Sequence, residues 1–417
     1  MFIGFDDTDS KQGMCTTYIA AVLIERLKSY GKVSNPRLIR LNPTIKYKTR
    51  GNAAIAINID TEHQKEVEEI TIKTIEELAE LKEENTNPGV VFAPNVPDEI
   101  KLFSKRAVKE TIRIDEAKKL ISKYGLHHKG FKNKRGLIGA LAAVGAELDD
   151  FTYELITYRY KDQWGSKRNI DRQSVFEADR ETYPLTWDTV DLVNKKIVFF
   201  PHSGCPVLYG IRGEDVSAIV KAKNIIKSEP FERSVLFITN QGTDSHLISS
   251  EISEVKEGSS YILRGKIKED PHTILGGHVI FSISDGSACI DCAAYEPTKN
   301  FRDIARVLLK DDVITAFGSV KNNTINLEKI EVEYLKDKFT YTNPKCPKCN
   351  KTMKSSGKGK KYRCKGCKTY SDEKDRFLVE RAIELGLYEV PPVARRHISK
   401  PLIREKNEKG KKVHQSR

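Results

Sequence analysis

The first third of the chain alternates short apolar stretches with longer segments in which apolar residues recur every three or four positions. Short apolar stretches are typical of strands, and the wider spacing is typical of amphipathic helices. Because helices separate the strands, the pattern predicts an α/β domain over residues 1–148. The predicted strands lie within residues 2–5, 37–41 and 53–59, and the helices within residues 16–28 and 62–81.

The pattern restarts after Ala146 with a strand, a polar helix, two strands, a second helix and a last strand. This order is typical of a ferredoxin-like domain, which we predict over residues 149–255. The four strands are predicted in TYELITYRY (152–160), KIVFFP (196–201), VLYGIRG (207–213) and SVLFIT (234–239).

Residues 256–336 contain five apolar strands, with one helical segment between the third and the fourth. This is the order of an OB-fold barrel, whose surface commonly binds nucleic acid strands, although such barrels also serve as spacers. A short cysteine-containing module follows at residues 340–375, and residues 376–417 form a basic C-terminal tail. The fold class that we predict is therefore multidomain α+β.

Four of the eight cysteines form two C-x-x-C pairs, Cys346 with Cys349 and Cys364 with Cys367, separated by fourteen residues. This spacing predicts a zinc ribbon with four thiolate ligands. Disulfides of a secreted protein are the alternative, but the first 25 residues are acidic where a signal peptide would be basic and then apolar.

A further C-x-x-C pair, Cys289 and Cys292, lies in a predicted strand of the barrel. Residues three apart on a strand point to opposite faces, and no second pair is available as a partner. We therefore predict a structural role for these two thiols.

The chain has 417 residues, of which 39% are hydrophobic and 31% charged, and its formal net charge is +13. It has no run of about 18 apolar residues, so we expect a cytoplasmic protein without a membrane segment. The positive charge favours a polyanionic partner, and the barrel, the zinc ribbon and the basic tail together favour nucleic acid.

Three carboxylates, Asp6, Asp7 and Asp9, follow the first predicted strand. Carboxylates this close repel one another unless a cation lies between them, and Mg²⁺ prefers oxygen ligands and shares itself with substrate phosphates. An acidic turn that caps the next helix is the alternative.

Residues suited to phosphate binding lie near these carboxylates. Gly13, Thr16 and Thr17 stand at the predicted start of a helix, where free N–H groups and the helix dipole attract anions. Lys48 and Arg50 alternate with Lys46, so an extended segment would turn all three the same way.

Glycine-containing turns are the remaining candidates for close approach to a phosphate, although each taken alone is typical of an ordinary loop. They contain Pro88-Gly89 and the group Gly130, Arg135 and Gly136. A Walker A motif and the kinase signatures are absent, so a nucleotide site here would belong to an unfamiliar class.

Several segments closely resemble the archaeal agmatidine synthetase (TiaS) family, and the resemblance covers nearly the whole chain. It implies an ATP-dependent kinase-like domain, a ferredoxin-like domain, an OB fold and a zinc ribbon, in that order. The matching segments are GFDDTDSKQGMCTTYIA, RLIRLNPTIKYKTRGNAA, NTNPGVVF, RGLIGALAAVGAELDDFTYELITYRY, CPVLYGIRG, TINLEKI and YEVPPVARRHISKPLIR.

The resemblance implies a ligase that modifies the wobble cytidine of the isoleucine tRNA with the anticodon CAU. The C2 oxygen of the cytidine is phosphorylated at the expense of ATP, and the amine of agmatine then displaces the phosphate. The agmatidine product pairs with A, so that the codon AUA is read as isoleucine. No protein partner is implied.

The resemblance also assigns roles to individual residues. Asp6, Asp7 and Asp9 match the family's catalytic aspartates, and Thr16 matches its autophosphorylated threonine, with Thr17 as the alternative. Contacts with ATP are assigned to Gly13, Thr17, Lys48, Arg50, Asn87 and Gly89.

We expect the wobble base to flip out of the anticodon stack, because its C2 carbonyl is inaccessible while it is stacked. The C-terminal cations Arg395, Arg396, Lys400 and Arg404 are predicted to bind the tRNA. The segment with Cys205, Tyr209 and Arg212 is a predicted neighbour of agmatine, whose guanidinium would seek a carboxylate.

Two other functions fit parts of the sequence. A non-catalytic tRNA-binding or single-strand-binding protein explains the barrel, ribbon and tail but leaves the N-terminal carboxylates without a task. A lysidine-type synthetase that uses another amine would be expected to contain an SGGxDS motif, which is absent.

Overall fold

The computed structural model describes residues 1–11, 13–48, 51–357, 361–405 and 412–417. The helices are α1 (Thr16–Leu27), α2 (Gln64–Leu78), α3 (Asp98–Lys109), α4 (Ile114–Lys123), α5 (Leu137–Val144), α6 (Arg172–Thr182), α7 (Val216–Ile225) and α8 (Phe301–Val307). The strands of the N-terminal region are β1 (Phe2–Asp6), β2 (Lys32–Val33), β3 (Arg37–Arg40), β4 (Ala53–Asp60), β5 (Gly89–Ala93), β6 (His127–Gly130), β7 (Thr152–Arg159), β8 (Thr186–Trp187), β9 (Val190–Asp191), β10 (Lys196–Ile197), β11 (Val207–Gly213) and β12 (Phe231–Thr239).

The remaining strands belong to the C-terminal region. They are β13 (Leu247–Ser249), β14 (Ser260–Ile267), β15 (His272–Thr273), β16 (Val279–Ser284), β17 (Cys289–Ala294), β18 (Val313–Lys321), β19 (Thr324–Tyr334), β20 (Lys338–Thr342), β21 (Lys354–Ser355), β22 (Tyr362–Arg363), β23 (Tyr370–Ser371), β24 (Asp375–Val379), β25 (Gly386–Glu389) and β26 (Val413–His414).

One sheet of ten strands runs through the N-terminal region in the order β6, β5, β1, β4, β3, β12, β7, β11 and β8, with β2 paired to β4. We call the strands β1 to β6 the first half of this sheet and the others its second half. Neighbouring strands of the first half are antiparallel throughout. The parallel sheet that the predicted α/β domain implies does not form, because the strands joined by a single helix are not neighbours: β4 lies between β1 and β3, and β1 lies between β4 and β5.

Helices cover both faces of the first half. Ile55 and Ile57 of β4 pack with α1 and α2, whereas Ala54 and Ala56 of the same strand pack with α3 and α5. This division follows from the period-two alternation of side chains along a strand. No helix among the described residues is both long enough and apolar enough to cross a membrane.

The two halves of the sheet are continuous because β3 pairs with β12 in parallel. Arg37 lies opposite Ile238 and Leu38 opposite Thr239. Just beyond this pair, the Arg40 backbone N–H donates to Asn240 Oδ1 at 2.7 Å, and Asn240 Nδ2 donates back to the Arg40 carbonyl at 2.9 Å. The two predicted N-terminal domains therefore share one sheet.

The second half contains one strand that differs from the prediction. Only Lys196–Ile197 of the KIVFFP segment is a strand, and it pairs with β9 outside the large sheet. The place beside β11 is taken by β8, which gives the strand order β12, β7, β11, β8. The apolar residues of KIVFFP instead contribute to the core under α6 and α7.

The five strands predicted from residue 256 onwards form a closed barrel. Strand β14 pairs with β16, β16 with β17, β17 with β19, β19 with β18, and β18 closes the ring on β14. Helix α8 lies between the third and the fourth strand, as predicted. On β17, Cys292 is buried and Cys289 exposed, which confirms that they point to opposite faces.

The C-terminal residues are not a solvated basic tail, because their described part is built into the fold. Strand β25 pairs with β19 at the barrel, and β26 pairs with β25. Strand β24 pairs with β20, so the zinc ribbon is closed off by a hairpin at its base. Several of the described basic residues of this region also have acidic partners within the chain.

The four cations predicted to bind tRNA illustrate this. Arg395 is paired with Asp188 and Glu389, Arg404 with Asp150 and Glu214, Arg396 with Glu328, and Lys400 with Glu405. The side chains of Arg395 and Arg404 are only 3% and 6% exposed. These two guanidinium groups are paired within the chain, and their contact with tRNA stays a prediction.

Replacing Arg395 with alanine is expected to lower the free energy of unfolding by about 3 kcal/mol or more, because Asp188 and Glu389 would be left buried without their cation. The change is measured by denaturant unfolding. Arg113, which is 81% exposed in its pair with Asp115, is the matched control, since exposed ion pairs contribute little. Equal losses in the two alanine variants would contradict the prediction.

Candidate active site

A cavity of about 950 Å³ is lined by both halves of the sheet and by the C-terminal segment. The first half contributes the end of β1 and the start of α1. The second half contributes β7, β11 and residues 198–203, and residues 396–398 complete the wall. The cavity therefore joins segments that lie far apart in the sequence.

The carboxylate cluster, Asp6, Asp7 and Asp9, lies in this cavity. Asp6 ends β1, and the positive φ of Asp7, 59°, turns the chain sharply after it. Burial, together with the neighbouring charges of Asp7 and Asp9, raises the pKa of Asp6 well above its usual value. Burial also raises the pKa of Asp7, although Arg135, with its Nε 2.9 Å and its Nη2 2.7 Å from Asp7 Oδ2, opposes this effect.

Glycines allow helix α5 to pack directly against the backbone and side chain of Asp6 in the carboxylate cluster. A Cβ at Gly139 would lie 1.9 Å from Asp6 Oδ2, and one at Gly136 would lie 2.7 Å from the Asp6 carbonyl oxygen. A Cβ at Gly89 would lie 2.2 Å from the Leu137 backbone nitrogen. A side chain at any of these positions would push α5 away from Asp6.

The predicted phosphate-binding threonines stand at the first turn of α1 and line the cavity. The Thr8 hydroxyl donates to the Thr16 hydroxyl at 3.1 Å, and Thr17 Oγ1 is 3.1 Å from Cys15 Sγ. Gly13, by contrast, uses its N–H on the Ser10 hydroxyl, at 3.2 Å. The structure thus brings Thr16 and Thr17, but not Gly13, to the cavity wall.

Only one of the other predicted ATP contacts is seen to line the cavity. Lys48 lines the cavity and donates to the Pro43 carbonyl, whereas Arg50 lies outside the described residues. Asn87 is buried behind the wall, where its carbonyl accepts the Gly136 N–H at 2.9 Å. Gly89 is packed against α5 in the same region. The structure gives Asn87 and Gly89 a packing role, and their contact with ATP stays a prediction.

A second group of charged residues lines the cavity on the β7 and β11 side. The buried carboxylate of Glu154 accepts from Arg212 Nε at 3.2 Å and lies 3.9 Å from Arg40 Nη2. Arg212 also donates to Nδ1 of His397, which comes from the C-terminal segment. We call Arg40, Glu154, Arg212 and His397 the Glu154 cluster.

Two of the three predicted neighbours of agmatine line the cavity. Cys205 and Arg212 line the cavity, but Tyr209 does not. Tyr209 is buried in the core, stacked on Phe199 with ring centroids 5.0 Å apart. A register shift between Val207 and Tyr209 in the pairing of β11 with β7 reverses the faces expected from simple alternation.

Sequence reasoning missed Arg40, Glu154 and His397 as site residues, and it noted Arg135 only as part of a turn. Glu154 alone carries a signal, since it is a carboxylate within an apolar strand. Its partners lie on other elements, and nothing in the local pattern identifies them.

The four ribbon cysteines converge, and their sulfur atoms all lie within 4.8 Å of one another. The two C-x-x-C turns have matching hydrogen bonds. The first cysteine of each turn accepts, through its carbonyl, the N–H four residues later, from Asn350 at 2.8 Å and from Lys368 at 3.0 Å. Four thiolates in two such turns are suited to one tetrahedral Zn²⁺.

The fold and the cavity define a class of multidomain proteins in which a carboxylate-lined cavity in one long sheet is combined with a closed five-stranded barrel and a zinc ribbon. The chain matches the family models described as TiaS TCKD domain over residues 2–133, TiaS FLD domain over 134–246 and TiaS C-terminal zinc ribbon domain over 343–383. A relative from Methanosarcina mazei, a 2-agmatinylcytidine synthetase TiaS for an isoleucine tRNA, is 52% identical, and the alignment covers 97% of each chain. The chain belongs to the TiaS family.

Solved structures agree with this assignment. The complex of a TiaS with its isoleucine tRNA and ATP superposes with a TM-score of 0.93 at 48% identity, covering 100% of this chain and 99% of the other. The complex of a TiaS with the same kind of tRNA, AMPCPP and agmatine superposes with a TM-score of 0.90 at 46% identity, with the same coverage.

Proposed function

We propose that this protein joins agmatine to the wobble cytidine of the isoleucine tRNA with the anticodon CAU, at the expense of ATP. The observation that carries the proposal is the single cavity in which the carboxylate cluster, Thr16 and the Glu154 cluster meet. Relatives that span the full chain are TiaS synthetases, and TiaS has been solved with its isoleucine tRNA, ATP and agmatine. A non-catalytic RNA-binding protein would have no use for such a cavity.

The domains take the roles that the resemblance implies. Residues 1–148 are the kinase-like domain, residues 149–255 the ferredoxin-like domain, residues 256–336 the OB fold and residues 340–375 the zinc ribbon. The strand order β12, β7, β11, β8 supports the second assignment. The closed barrel with α8 between its third and fourth strands supports the third.

Mg²⁺ fits the carboxylate cluster. Burial and the charges of Asp7 and Asp9 raise the pKa of Asp6, and Arg135 opposes this rise. Three carboxylates held together in this way suit a hard divalent cation. Asp6, Asp7 and Asp9 would hold the ion, which neutralises charge on the transferred phosphoryl group.

The reaction proceeds in two displacements. The cytidine O2 atom attacks a phosphoryl group of ATP, the bond between that phosphorus and a bridging oxygen breaks, and the remainder of ATP leaves with the oxygen. The primary amine of agmatine then attacks C2. The C2–O bond breaks, phosphate leaves with the oxygen, and the amine loses its protons to solvent. Arg135 and Lys48 both line the cavity and offset the negative charge of the phosphates.

Agmatine lies beside Cys205 and Arg212 in this proposal. Phe200, Pro201 and Val207 line the same part of the cavity wall and supply apolar surface for a four-carbon chain. Glu154 is the buried carboxylate in this region. Both of its oxygens already accept hydrogen bonds, from Arg212 and from Gln241.

The tRNA is held mainly by the barrel and the zinc ribbon. Exposed aromatic residues of the hairpin below the ribbon, Tyr341 and Phe377, lie beside Arg376 and offer stacking surfaces. The flipped cytidine enters the cavity. Methionine tRNAs share the CAU anticodon, so they must be rejected through the body of the tRNA.

The experiment that tests the proposal measures incorporation of radiolabelled agmatine into an isoleucine tRNA transcript with the anticodon CAU, in the presence of ATP and Mg²⁺. A methionine tRNA transcript is the control for specificity, and lysine replaces agmatine in the control for the amine. Label in the isoleucine tRNA alone is expected. Absence of label with intact tRNA binding would overturn the proposal.

Autophosphorylation is expected at Thr16. With γ-labelled ATP, the wild type and the Thr17→Ala variant should become labelled, whereas Thr16→Ala should lose about 90% or more of the label, because the proposed acceptor hydroxyl is removed. The Thr16 hydroxyl lies in the cavity, held by Thr8. Phosphopeptide mass spectrometry locates the site, and label retained in Thr16→Ala but lost in Thr17→Ala would move the assignment to Thr17.

A further inference from the structure

The C-terminal segment contributes side chains to the active-site cavity. We call residues 395–398 the strap. Arg395 anchors one end of it between Asp188 and Glu389. At the other end, the carbonyl of His397 accepts the Gly242 N–H at 2.9 Å, and that of Ile398 accepts the Thr243 N–H at 3.1 Å. The strap is therefore fixed on both sides of His397.

This fixation presents the His397 side chain to the cavity, whose wall it lines. Its Nδ1 receives a hydrogen bond from Arg212. Because a guanidinium can only donate, Nδ1 must be the unprotonated nitrogen, and the neutral ring carries its proton on Nε2. The imidazole therefore serves as an uncharged acceptor for Arg212.

Cations face His397 from three other elements. Arg212 comes from β11, Arg40 from β3 and Lys48 from the segment after β3, while Arg396 is its neighbour on the strap. Removal from bulk water by the cavity walls, together with Arg212, Arg40 and Lys48, lowers the pKa of His397 well below its usual value. The nearest acid of the group, Glu154, is engaged with Arg212 and Arg40. A positive charge on the His397 ring would repel the guanidinium of Arg212.

We propose that His397 is a positioning residue, which holds the Arg212 guanidinium against Glu154 in the agmatine-binding part of the cavity. Arg212 uses Nε on Glu154 and Nη2 on His397, and its Nη1 lies 4.0 Å from Asp188 Oδ2. Hydrogen bonds to one acid and one neutral base therefore fix the plane of its guanidinium. The C-terminal strap thereby becomes part of the active site. This inference rests on the proposed function for the identity of the substrate.

Substitution of His397 by asparagine or by glutamine distinguishes the role of Nδ1 from that of Nε2. An asparagine oxygen can take the place of Nδ1, whereas a glutamine amide reaches the place of Nε2. We expect His397→Ala and His397→Gln to raise the KM for agmatine about ten- to a hundredfold, the range for a lost hydrogen bond to a charged group. We expect His397→Asn to stay within about threefold of the wild type and all three variants to keep the wild-type Kd for tRNA.

Coupling with Arg212 tests whether His397 acts through it. The double variant His397→Ala with Arg212→Ala should be no worse than Arg212→Ala alone, because residues that act as one unit are not additive. His414→Ala is the matched control from the same region. Its ring stacks on Tyr388 with centroids 4.1 Å apart and does not line the cavity, so agmatine kinetics should be unchanged.

The kinetics of the His397 variants either support or overturn the inference. Wild-type kinetics in His397→Ala, or failure of His397→Asn with an unchanged Tm, would overturn the inference. Rescue by glutamine instead of asparagine would also overturn it, since the ring would then act through Nε2 on the substrate. If His397→Ala fails to fold, the asparagine and glutamine pair still decides.

A measurement without turnover separates this inference from the proposed function. Nitrogen-15 spectra of histidine-labelled protein, assigned by loss of one signal in His397→Asn, should show an unprotonated Nδ1 and a protonated Nε2 at pH 7, with the Nδ1 shift changed by Arg212→Ala. A protonated Nδ1 would overturn the inference even in an active enzyme. Absence of agmatine incorporation by the wild type would overturn the proposed function. The nitrogen-15 measurement would still test the role of His397, because it needs no turnover.

Discussion

Replacing Asp6 with asparagine is expected to lower agmatine incorporation by at least about a thousandfold and, at the same time, to raise the Tm of the protein. The loss of activity follows because a neutral amide is a poor ligand for the Mg²⁺ that would offset the negative charge of the transferred phosphoryl group, a contribution that is worth several kcal/mol. The gain in stability follows because burial and the charges of Asp7 and Asp9 disfavour the ionised form of Asp6.

The pH dependence of this gain has a defined sign. Because the pKa of Asp6 is raised in the folded protein, its ionised form destabilises the fold at neutral pH. This cost disappears as the pH falls below the raised pKa. The difference in Tm between Asp6→Asn and the wild type should therefore be largest at neutral pH and shrink under acidic conditions, when both are measured without divalent cations.

Mg²⁺ and a matched control complete this experiment. Mg²⁺ should raise the Tm of the wild type more than that of Asp6→Asn, since the ion binds only the folded site. Asp98, whose side chain is 97% exposed at the start of α3, serves as the control, and Asp98→Asn should keep wild-type activity. An active Asp6→Asn enzyme would show that the carboxylate cluster does not take part in phosphoryl transfer.

Replacing Cys364 with serine is the second large effect that we expect. Zinc content should fall to nearly zero, and the Kd for tRNA should rise at least about tenfold, because a structural zinc site contributes about 10 kcal/mol or more to the folding of its module. The ribbon has a small core formed chiefly by its cysteines and Met353. It therefore cannot stay folded without the ion.

The cavity should be unaffected by the loss of zinc. None of the described residues of the ribbon lines it, so the KM for ATP should stay within about twofold of the wild-type value. Cys289→Ser is the matched control, because this thiol is exposed on β17 and has no metal partner among the described residues. Unchanged tRNA affinity in zinc-free Cys364→Ser would show that the ribbon does not bind the RNA.

The strap changes the expectation for the C-terminal residues. The sequence predicts that Arg395 and Arg404 bind tRNA, whereas the structure pairs Arg395 with the buried side chains of Asp188 and Glu389 and Arg404 with the exposed acids Asp150 and Glu214. Loss of these pairs would displace His397 and the cavity wall with it. We therefore expect changes here to affect the use of agmatine as well as stability.

Much of the architecture is present in the local pattern of the sequence. The strands β1, β3, β4 and β7 and the helices α1 and α2 occur where apolar periodicity predicts them, because side-chain period and secondary structure are local properties. The order of the barrel elements and the C-x-x-C spacing are equally local, and both modules form as predicted. The carboxylate cluster was visible because its members are neighbours in the chain.

Only the tertiary structure decided which strands pair and which charges meet. Contacts between segments that are distant in sequence set the direction of the first-half strands and the pairing of β3 with β12. They also decide that β8, and not the KIVFFP segment, pairs with β11. The Glu154 cluster takes its members from β3, β7, β11 and the strap, more than 350 residues apart at the extremes. A charged side chain has no preferred partner until the backbone brings an opposite charge within a few ångströms, and this is why the cluster could not be read from any single segment.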